Sequence, residues 1–330
     1  MYYVDGSNAE SETLVRGRLW DDSGTIKASF NHNAPDTVHI YYRIAEFFSG
    51  VKVQRVQLTE SDFARYDSYD FSAVATYPDA VDVDKTFHLL HYSQSLVNFY
   101  ASTFLRLERP TSTQVEIQVS DNYSLSSSLE IELQVIELLD DSVVEFFRAS
   151  FTPVTNTFTA TVADSGSPVI LATMTSDRTT TADEFSFLGR KSSGTEITFE
   201  LDNAGSYGSV TGSYITFGSG IQTRSPYCPM TNGESEKTFT LTTPLTDDTR
   251  CLIFTTGFQY CGGKNDHTDD TLNQVMLAAT SFDGTDLTLK RGEGTGINNS
   301  RPVIVEFPMK SPWNPSDTVP MAAIGPSFIF

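Results

Sequence analysis

Apolar and polar residues alternate in short stretches along most of the chain, and this pattern predicts β-strands. In the stretch Phe158-Thr-Ala-Thr-Val162 the apolar side chains fall on one side and the threonines on the other, which is the period of two of a sheet with one solvent-facing surface. Other stretches, such as Val169-Ile-Leu-Ala-Thr173, are continuously apolar and suit central strands covered on both faces. No long segment repeats apolar residues at the helical spacing, so the pattern predicts an all-β fold.

One type of strand closes several successive stretches of the chain. The stretch Val303-Ile-Val-Glu-Phe307 has counterparts at residues 42–47, 134–138 and 213–217. Each counterpart ends a segment of the size of a small β-domain, so we predict tandem antiparallel β-sandwich units. The glutamate of this strand recurs as Glu46 and Glu137. We interpret it as the exposed phase of a strand rather than as a catalytic group.

One core rarely serves a chain of 330 residues, so we expect several domains. The repeat divides the chain into five segments. We predict an N-terminal arm and half β-unit (residues 1–48), three β-sandwich units (residues 49–139, 140–218 and 219–308) and an extended C-terminal docking arm (residues 309–330). The connections are short, so we expect the units to touch end to end. The half unit lacks opening strands, and we expect the arm, a neighbouring unit or a symmetry-related chain to cover its edge.

Within the units, we align the predicted strands by residue type. The opening strands share an arginine, at Arg55, Arg148 and Arg224. The second strands share a phenylalanine, at Phe71, Phe158 and Phe239. The third strands are apolar and begin at Phe87, Val169 and Cys251. The next strand follows a turn, for which Asp283-Gly284 is a strong signal, and we place its counterpart in the first unit at residues 103–107.

The C-terminal arm combines four prolines with several large apolar side chains. Prolines exclude a central strand. The apolar residues are Trp313, Phe328, Ile329 and Phe330, and they are too apolar to remain in solvent. We interpret the segment as an extended arm that docks on another surface; the alternative is a disordered tail.

The chain is strongly acidic, with a formal net charge of −20 and a pI near 4.5. Nucleic-acid binders concentrate lysine and arginine, so we expect no nucleic-acid partner. The first residues lack the basic and apolar segments of a signal peptide, and no apolar run could span a membrane, so we expect cytoplasmic synthesis and no membrane insertion. Cys228, Cys251 and Cys261 are expected to be free buried thiols rather than a disulfide framework.

Metal ligands and cofactors are not predicted. His88 and His91 lie three apart on a strand and so point to opposite faces, and the positions aligned with His88 hold Ile170 and Leu252. The cysteines lack Cys-x-x-Cys spacing. The glycine-rich stretch 291–296 resembles a dinucleotide-binding loop only superficially, because no helix follows to receive a phosphate.

Two loops are weak candidates for a glycan or ion site. Asp266, Asp269 and Asp270 cluster oxygen donors of the kind that Ca²⁺ prefers, but they lack the order of an EF-hand, and a solvated turn is the alternative. Tyr66 and Tyr69 could line a sugar-binding face, and packing is the alternative. Paired carboxylates are common in an acidic chain, so they do not by themselves indicate glycoside hydrolysis.

The closing strands carry a resemblance. The stretch Gly284-Thr-Asp-Leu-Thr-Leu-Lys-Arg291, followed by Val303-Ile-Val-Glu-Phe307, resembles the tandem β-sandwich repeats of structural proteins of tailed bacteriophages. In those repeats a Thr-x-Leu-Thr-x-x-Arg strand precedes a Val-x-x-Glu-Phe strand. The second unit departs from the pattern, with Leu201 in place of the arginine and Thr216 in place of the glutamate.

The resemblance implies a non-enzymatic virion component: a tail-fibre, tail-tip, head-fibre or capsid-decoration protein. It implies other virion proteins and further copies of the chain as partners, with a host surface glycan as the partner in host attachment, and no catalytic residues. The alternative is a carbohydrate-binding adhesin module, with a hydrolase as a third class.

Overall fold

The computed structural model describes residues 2–5, 16–19, 26–29, 37–41, 44–46, 50–65, 70–93, 105–120, 129–153, 156–163, 168–176, 187–201, 207–254, 262–265, 277–292, 294–308 and 327–329. These residues form 28 strands in antiparallel sheets. The predicted all-β fold is confirmed. In the described ranges, no helix is long and apolar enough to cross a membrane.

The first five strands lie within residues 2–46. They are β1 (Tyr2–Asp5), β2 (Arg16–Leu19), β3 (Ile26–Ser29), β4 (Thr37–Ile40) and β5 (Ile44–Glu46). β1 pairs with β4, and β2 pairs with β3.

The first sandwich unit follows. Its strands are β6 (Val51–Thr59), β7 (Ala64–Arg65), β8 (Asp70–Thr76), β9 (Thr86–Ser93), β10 (Leu105–Glu108), β11 (Gln114–Ser120) and β12 (Glu130–Leu138). One sheet has the order β6-β12-β9 and the other the order β10-β11-β8-β7. Strand β2 lies against β9 and β12.

The second unit has six strands. They are β13 (Val143–Phe151), β14 (Thr157–Thr161), β15 (Val169–Ser176), β16 (Phe187–Ser193), β17 (Glu196–Leu201) and β18 (Gly208–Thr216). β13-β18-β15 form one sheet, and β14-β17-β16 belong to the other. The alternation seen in β14 is realised, because Phe158 and Ala160 are buried while the threonines between and beside them are exposed.

The third unit is more broken. Its strands are β19 (Gln222–Arg224), β20 (Cys228–Met230), β21 (Glu236–Thr240), β22 (Cys251–Phe254), β23 (Gly262–Asn265), β24 (Ala278–Phe282), β25 (Asp286–Lys290), β26 (Asn298–Ser300) and β27 (Val303–Glu306). Its two sheets have the orders β19-β27-β22 and β21-β25-β24, while β23-β26-β20 extend the β14-β17-β16 sheet of the second unit. The last strand, β28 (Ser327–Ile329), pairs with β5.

The three units share one strand order. Six strands recur in each unit when β7 of the first unit and β20, β23 and β26 of the third unit are left out of the numbering. Of these six, the first, sixth and third strands form what we call the inner sheet, and the second, fifth and fourth strands form the outer sheet. β10 is therefore the fourth strand of the first unit, and β11 is the fifth. The prediction that residues 103–107 match the fifth strands of the other units is wrong, because the turn after β10 contains no glycine to mark it.

Cross-strand partners also correct the predicted alignment. The pairs Phe87–Ile136, Val169–Ile215 and Leu252–Val305 are equivalent. The third strand of the third unit is thus aligned one residue later than predicted, and the counterpart of His88 is Ile253. The arginines of the opening strands face residues at different positions along the closing strand: Arg55 pairs with Gln134, Arg148 with Thr211 and Arg224 with Ile304. Their recurrence is not a structural repeat, and the same is true of the phenylalanines of the second strands.

Each unit has its own core between its two sheets, and a further core joins all three units. This central core consists of one end of every inner sheet: Phe87, Leu89, Ile136, Leu138, Val144, Val169, Leu171, Ile215, Leu252, Phe254, Val303 and Val305. Both faces of an inner sheet are therefore covered, which explains the continuously apolar third strands. The units are fused through this core and do not merely touch end to end as predicted.

The glutamate of the closing strand is buried in the third unit, so its interpretation as an exposed residue is wrong. Glu306 is 2% exposed, accepts a hydrogen bond from the Thr246 amide at 3.2 Å and pairs with Arg250 at 2.8 Å. In the first unit, Glu137 accepts a hydrogen bond from the Asp82 amide at 2.8 Å. Both side chains tie the closing strand to the 3-10 turn before the third strand.

The predicted turn at Asp283-Gly284 is confirmed. Gly284 has a φ of +91°, a conformation that glycine adopts without a steric penalty. The Asp283 side chain accepts hydrogen bonds from the amides of Thr285 at 2.9 Å and Asp286 at 2.7 Å. These bonds fix the reversal between the fourth and fifth strands.

Candidate ligand site between the second and third units

Most of the site residues predicted from sequence lie outside the described residues. These are Tyr66, Tyr69, Asp266, Asp269, Asp270, Trp313 and Phe330. Phe328 and Ile329 belong to β28, whose backbone pairs with Ala45 and Ile44 of β5. The last described strand of the chain therefore pairs with one of its N-terminal strands. The C-terminal arm is one of the three covers expected for the sheet edge of the half unit.

Of the two histidines considered as metal ligands, His88 is buried and His91 is half-buried. His88 forms a 2.8 Å hydrogen bond with the Tyr77 hydroxyl. Burial lowers the pKa of both His88 and His91 to about 4, so both rings are neutral at pH 7. In the described ranges, no group of three or more His, Cys, Asp or Glu residues could hold a metal ion.

Cys228 and Cys251 are buried thiols that are not joined in a disulfide, as predicted. Burial raises the pKa of the Cys228 thiol to about 12, so this sulfur is not a nucleophile at neutral pH. Cys261 lies outside the described residues.

The glycine-rich stretch 291–296 is organised from within. Arg291 is fully buried, and its guanidinium donates hydrogen bonds to the main-chain carbonyls of Thr231, Glu234, Gly294, Thr295 and Gly296. The guanidinium of Arg291 is thus hydrogen-bonded to main-chain carbonyls.

The inner sheet of the third unit is interrupted on two adjacent strands. The first strand leaves the ladder between β19 and β20, where Ser225 lies, and the closing strand leaves it between β26 and β27, at Arg301 and Pro302. Pro302 has no amide hydrogen, so it cannot donate to a ladder. The far halves of both strands then join the outer sheet of the second unit through β23 and β16.

A cavity of about 230 Å³ lies at this interruption, between the second and third units. The second unit contributes the start of β15 and the middle of β16, and the third unit contributes the residues at the strand breaks. The lining residues are Pro168, Ile170, Gly189, Arg190, Lys191, Ser225, Arg301 and Val303.

Three of these lining residues are cations, in a chain of net charge −20. Arg190 pairs with Glu200 at 2.9 Å, and the Lys191 ammonium lies 5.9 Å from the centre of the Tyr214 ring. The Arg301 guanidinium lies 5.3 Å from the centre of the Tyr227 ring, with a long contact of 3.5 Å to the Ser225 carbonyl. The Nε atom of Arg301 is buried and has no hydrogen-bond partner among the described residues.

The same position at the junction of the first and second units is filled. When the turns at residues 111–114 and 193–196 are aligned, Leu107 is the counterpart of Gly189. When the β19–β27 ladder is extended past its last pair, Arg224–Ile304, Phe146 is the counterpart of Ser225 and Thr211 that of Arg301. Leu107, Phe146 and Thr211 line a space of only about 10 Å³, together with His88 and residues of β15 and β18. A leucine and a phenylalanine thus occupy the volume that a glycine and a serine leave open.

The filled junction also supplies its own carboxylate. Glu108, the counterpart of Arg190, is 1% exposed and pairs with Arg106 at 2.9 Å and Arg148 at 3.3 Å. Arg106 in turn donates to Thr175 of the second unit at 2.6 Å. The first junction therefore carries ion pairs and a hydrogen bond between two units, although Arg106 Nε and Glu108 Oε1 meet as an ion pair without hydrogen-bond geometry.

Sequence reasoning missed this cavity because its cations come from different units. Arg301 stands at the start of the closing strand, and Arg190 and Lys191 stand in a fourth strand that the alignment left unassigned. The usable signal was Arg301-Pro302, since proline inside a predicted central strand indicates an interruption. A scan against family models found no matching family, and a search of curated proteins found no match.

Proposed function

We propose that this protein is a non-enzymatic structural component of a virion, of the tail-fibre, tail-tip, head-fibre or capsid-decoration kind, that acts through assembly with other chains. The observation that carries the proposal is the central core, which fuses three sandwich units into one block. Domains joined by small polar interfaces move relative to one another, whereas a large apolar interface prevents that motion. A rigid block suits a protein whose role is to hold a fixed shape in an assembly.

The strands near the two ends of the chain support assembly as the mechanism. Within the described residues, β1-β4, β2-β3 and β5-β28 are two-stranded sheets, and such sheets are marginally stable alone. Strand edges of this kind accept strands from other chains. The segment 309–326 separates β28 from the third unit, so exchange of β28 between copies is a low-cost route to an oligomer.

The virion setting rests on the resemblance of the closing strands to tandem repeats of tailed-phage structural proteins. The shared strand order of the three units supports this setting, because the repeated sequence pattern then corresponds to a repeated fold. Other virion proteins and further copies of the chain are the partners in this proposal.

The test is the oligomeric state of the full chain, measured by light scattering after size exclusion and by negative-stain electron microscopy. Ile329→Pro removes an amide from β28 and should reduce the oligomer, while Ile329→Val keeps the backbone and should not. Thermal unfolding of the sandwich units should be the same in both variants. A full chain that stays monomeric at high concentration, and is found in no purified particle from its source, would refute the proposal.

The cationic cavity favours a second candidate, a carbohydrate-binding adhesin module. Binding of a glycan by the full chain that persists in Ile329→Pro, while assembly is lost, would support this second function separately from the first.

A further inference from the structure

We propose that the cavity between the second and third units binds a small carboxylate-bearing ligand of the acidic-sugar class, with Arg190, Lys191 and Arg301 as its cationic contacts. The site lies within one chain, so it does not depend on the assembly role proposed above.

The first argument is electrostatic. Three cations line one cavity of about 230 Å³ in a chain with almost twice as many acidic as basic residues, 42 against 22. Like charges held together repel, and the repulsion grows as water is excluded. Glu200 occupies one side of Arg190, but a guanidinium has five N–H donors. An anion in the cavity would offset positive charge on this lining.

The second argument comes from the filled junction. There, Glu108 supplies a buried carboxylate to Arg106 and Arg148 from within the chain. At the open junction its counterpart is a cation, Arg190. Arg301 carries a buried Nε atom without a hydrogen-bond partner among the described residues. The buried Arg106 Nε also lacks hydrogen-bond geometry, but a Glu108 oxygen lies 2.9 Å from it. Buried polar atoms are nearly always hydrogen-bonded, so a carboxylate that comes from outside the chain would complete this junction as Glu108 completes the other.

The third argument concerns the kind of anion. Part of the lining is apolar, at Pro168, Ile170 and Val303, which an inorganic anion could not use. Ser225 adds polar main-chain and side-chain groups, and Tyr227, which is 50% exposed, stands beside Arg301. The volume lies below the roughly 300–1,000 Å³ of pockets for drug-sized ligands. A single sugar acid matches this combination, with its carboxylate on the arginines and its ring carbons on the apolar surface.

The experiment is a titration of the full chain with glucuronate and N-acetylneuraminate, followed by calorimetry and saturation-transfer NMR. Glucose and inorganic phosphate serve as the neutral and inorganic controls. We expect both acidic sugars to bind, glucose not to bind, and added salt to weaken binding. Phosphate that binds as tightly as the sugars would refute the acidic-sugar class, and absence of binding by every probe would refute the site.

Two matched variants connect the binding to the cavity. Arg301→Gln should weaken binding by at least about tenfold, because it removes a charge-assisted contact. Arg109→Gln changes the counterpart of Lys191 at the other junction, on a side chain that is 66% exposed, and should leave binding unchanged. Equal binding by both variants would refute the assignment.

Filling the cavity gives an independent result. The double change Gly189→Leu and Ser225→Phe copies the filled junction and should abolish binding without touching a cation. Should this variant fail to fold, Lys191→Gln replaces it, with a loss of several-fold expected. Retained sugar binding in a folded filled variant, or in Lys191→Gln, would overturn the proposal.

Discussion

Leu171 tests whether the three units are one cooperative structure. It is 4% exposed and belongs to the central core, although it lies in the third strand of the second unit. Leu171→Ala removes three side-chain carbons from a core to which all three inner sheets contribute. Buried Leu→Ala changes cost about 2–5 kcal/mol, depending on how far the surroundings collapse. We expect the upper part of this range, because a core built from three separate sheets collapses little around a deleted side chain.

The assay is native-state amide hydrogen exchange, read by mass spectrometry in each unit. If the units unfold together, protection should fall by the same free energy in β9 of the first unit and β22 of the third as in β15 itself. Val143→Ala is the control, since Val143 starts a strand of the same unit but is 50% exposed; it should cost less than about 0.5 kcal/mol.

A different pattern would refute the shared core. If Leu171→Ala lowers protection only in the second unit, then the units are independent domains in contact, and the rigid-block argument for a structural role fails with it.

Three further predictions concern charge, pH and backbone. Burial alone would raise the pKa of Glu306, but the hydrogen bonds from Thr246 and the charge of Arg250 outweigh burial and hold that pKa below its usual value. Glu306→Gln should therefore lower the free energy of unfolding by about 2 kcal/mol in chemical denaturation at pH 7. The control Glu236→Gln, on an exposed side chain, should cost almost nothing. Because burial lowers the pKa of His88 from 6.5 to about 4, its contribution is full above pH 6.5 and is lost as the pH falls towards 4, by up to about 3 kcal/mol; His88→Phe should flatten the pH dependence of unfolding in that window, and an unchanged slope would contradict the assignment. Gly284→Ala places a side chain at a φ of +91° and should lower the melting temperature through a cost of about 1–2 kcal/mol, whereas Gly194→Ala, in the equivalent turn of the second unit with open space around it, should not.

Local patterns predicted the parts of this fold that depend on strand period and turn chemistry. The alternation in β14 and the turn at Asp283-Gly284 required only the pleat of a strand and the freedom of glycine. The closing strands of the three sandwich units share a sequence pattern because residues near their ends face the central core, whereas the counterpart predicted at residues 42–47 forms β5, which pairs with β28. Alignment by single residue types failed, since an arginine is not fixed to one register of a strand: Arg55 is half-buried, and Arg148 pairs with Glu108 of the preceding unit.

The sequence by itself determined that the chain is all-β. Only the tertiary structure decided that the units are fused through a central core, that Glu306 is buried, and that Arg190 and Arg301 line one cavity. The physical reason is that strand periodicity is a local property of the chain, whereas burial and charge pairing depend on which surfaces meet. The difference between a filled junction and an open one rests on residues in separate units, and folding alone brings them together.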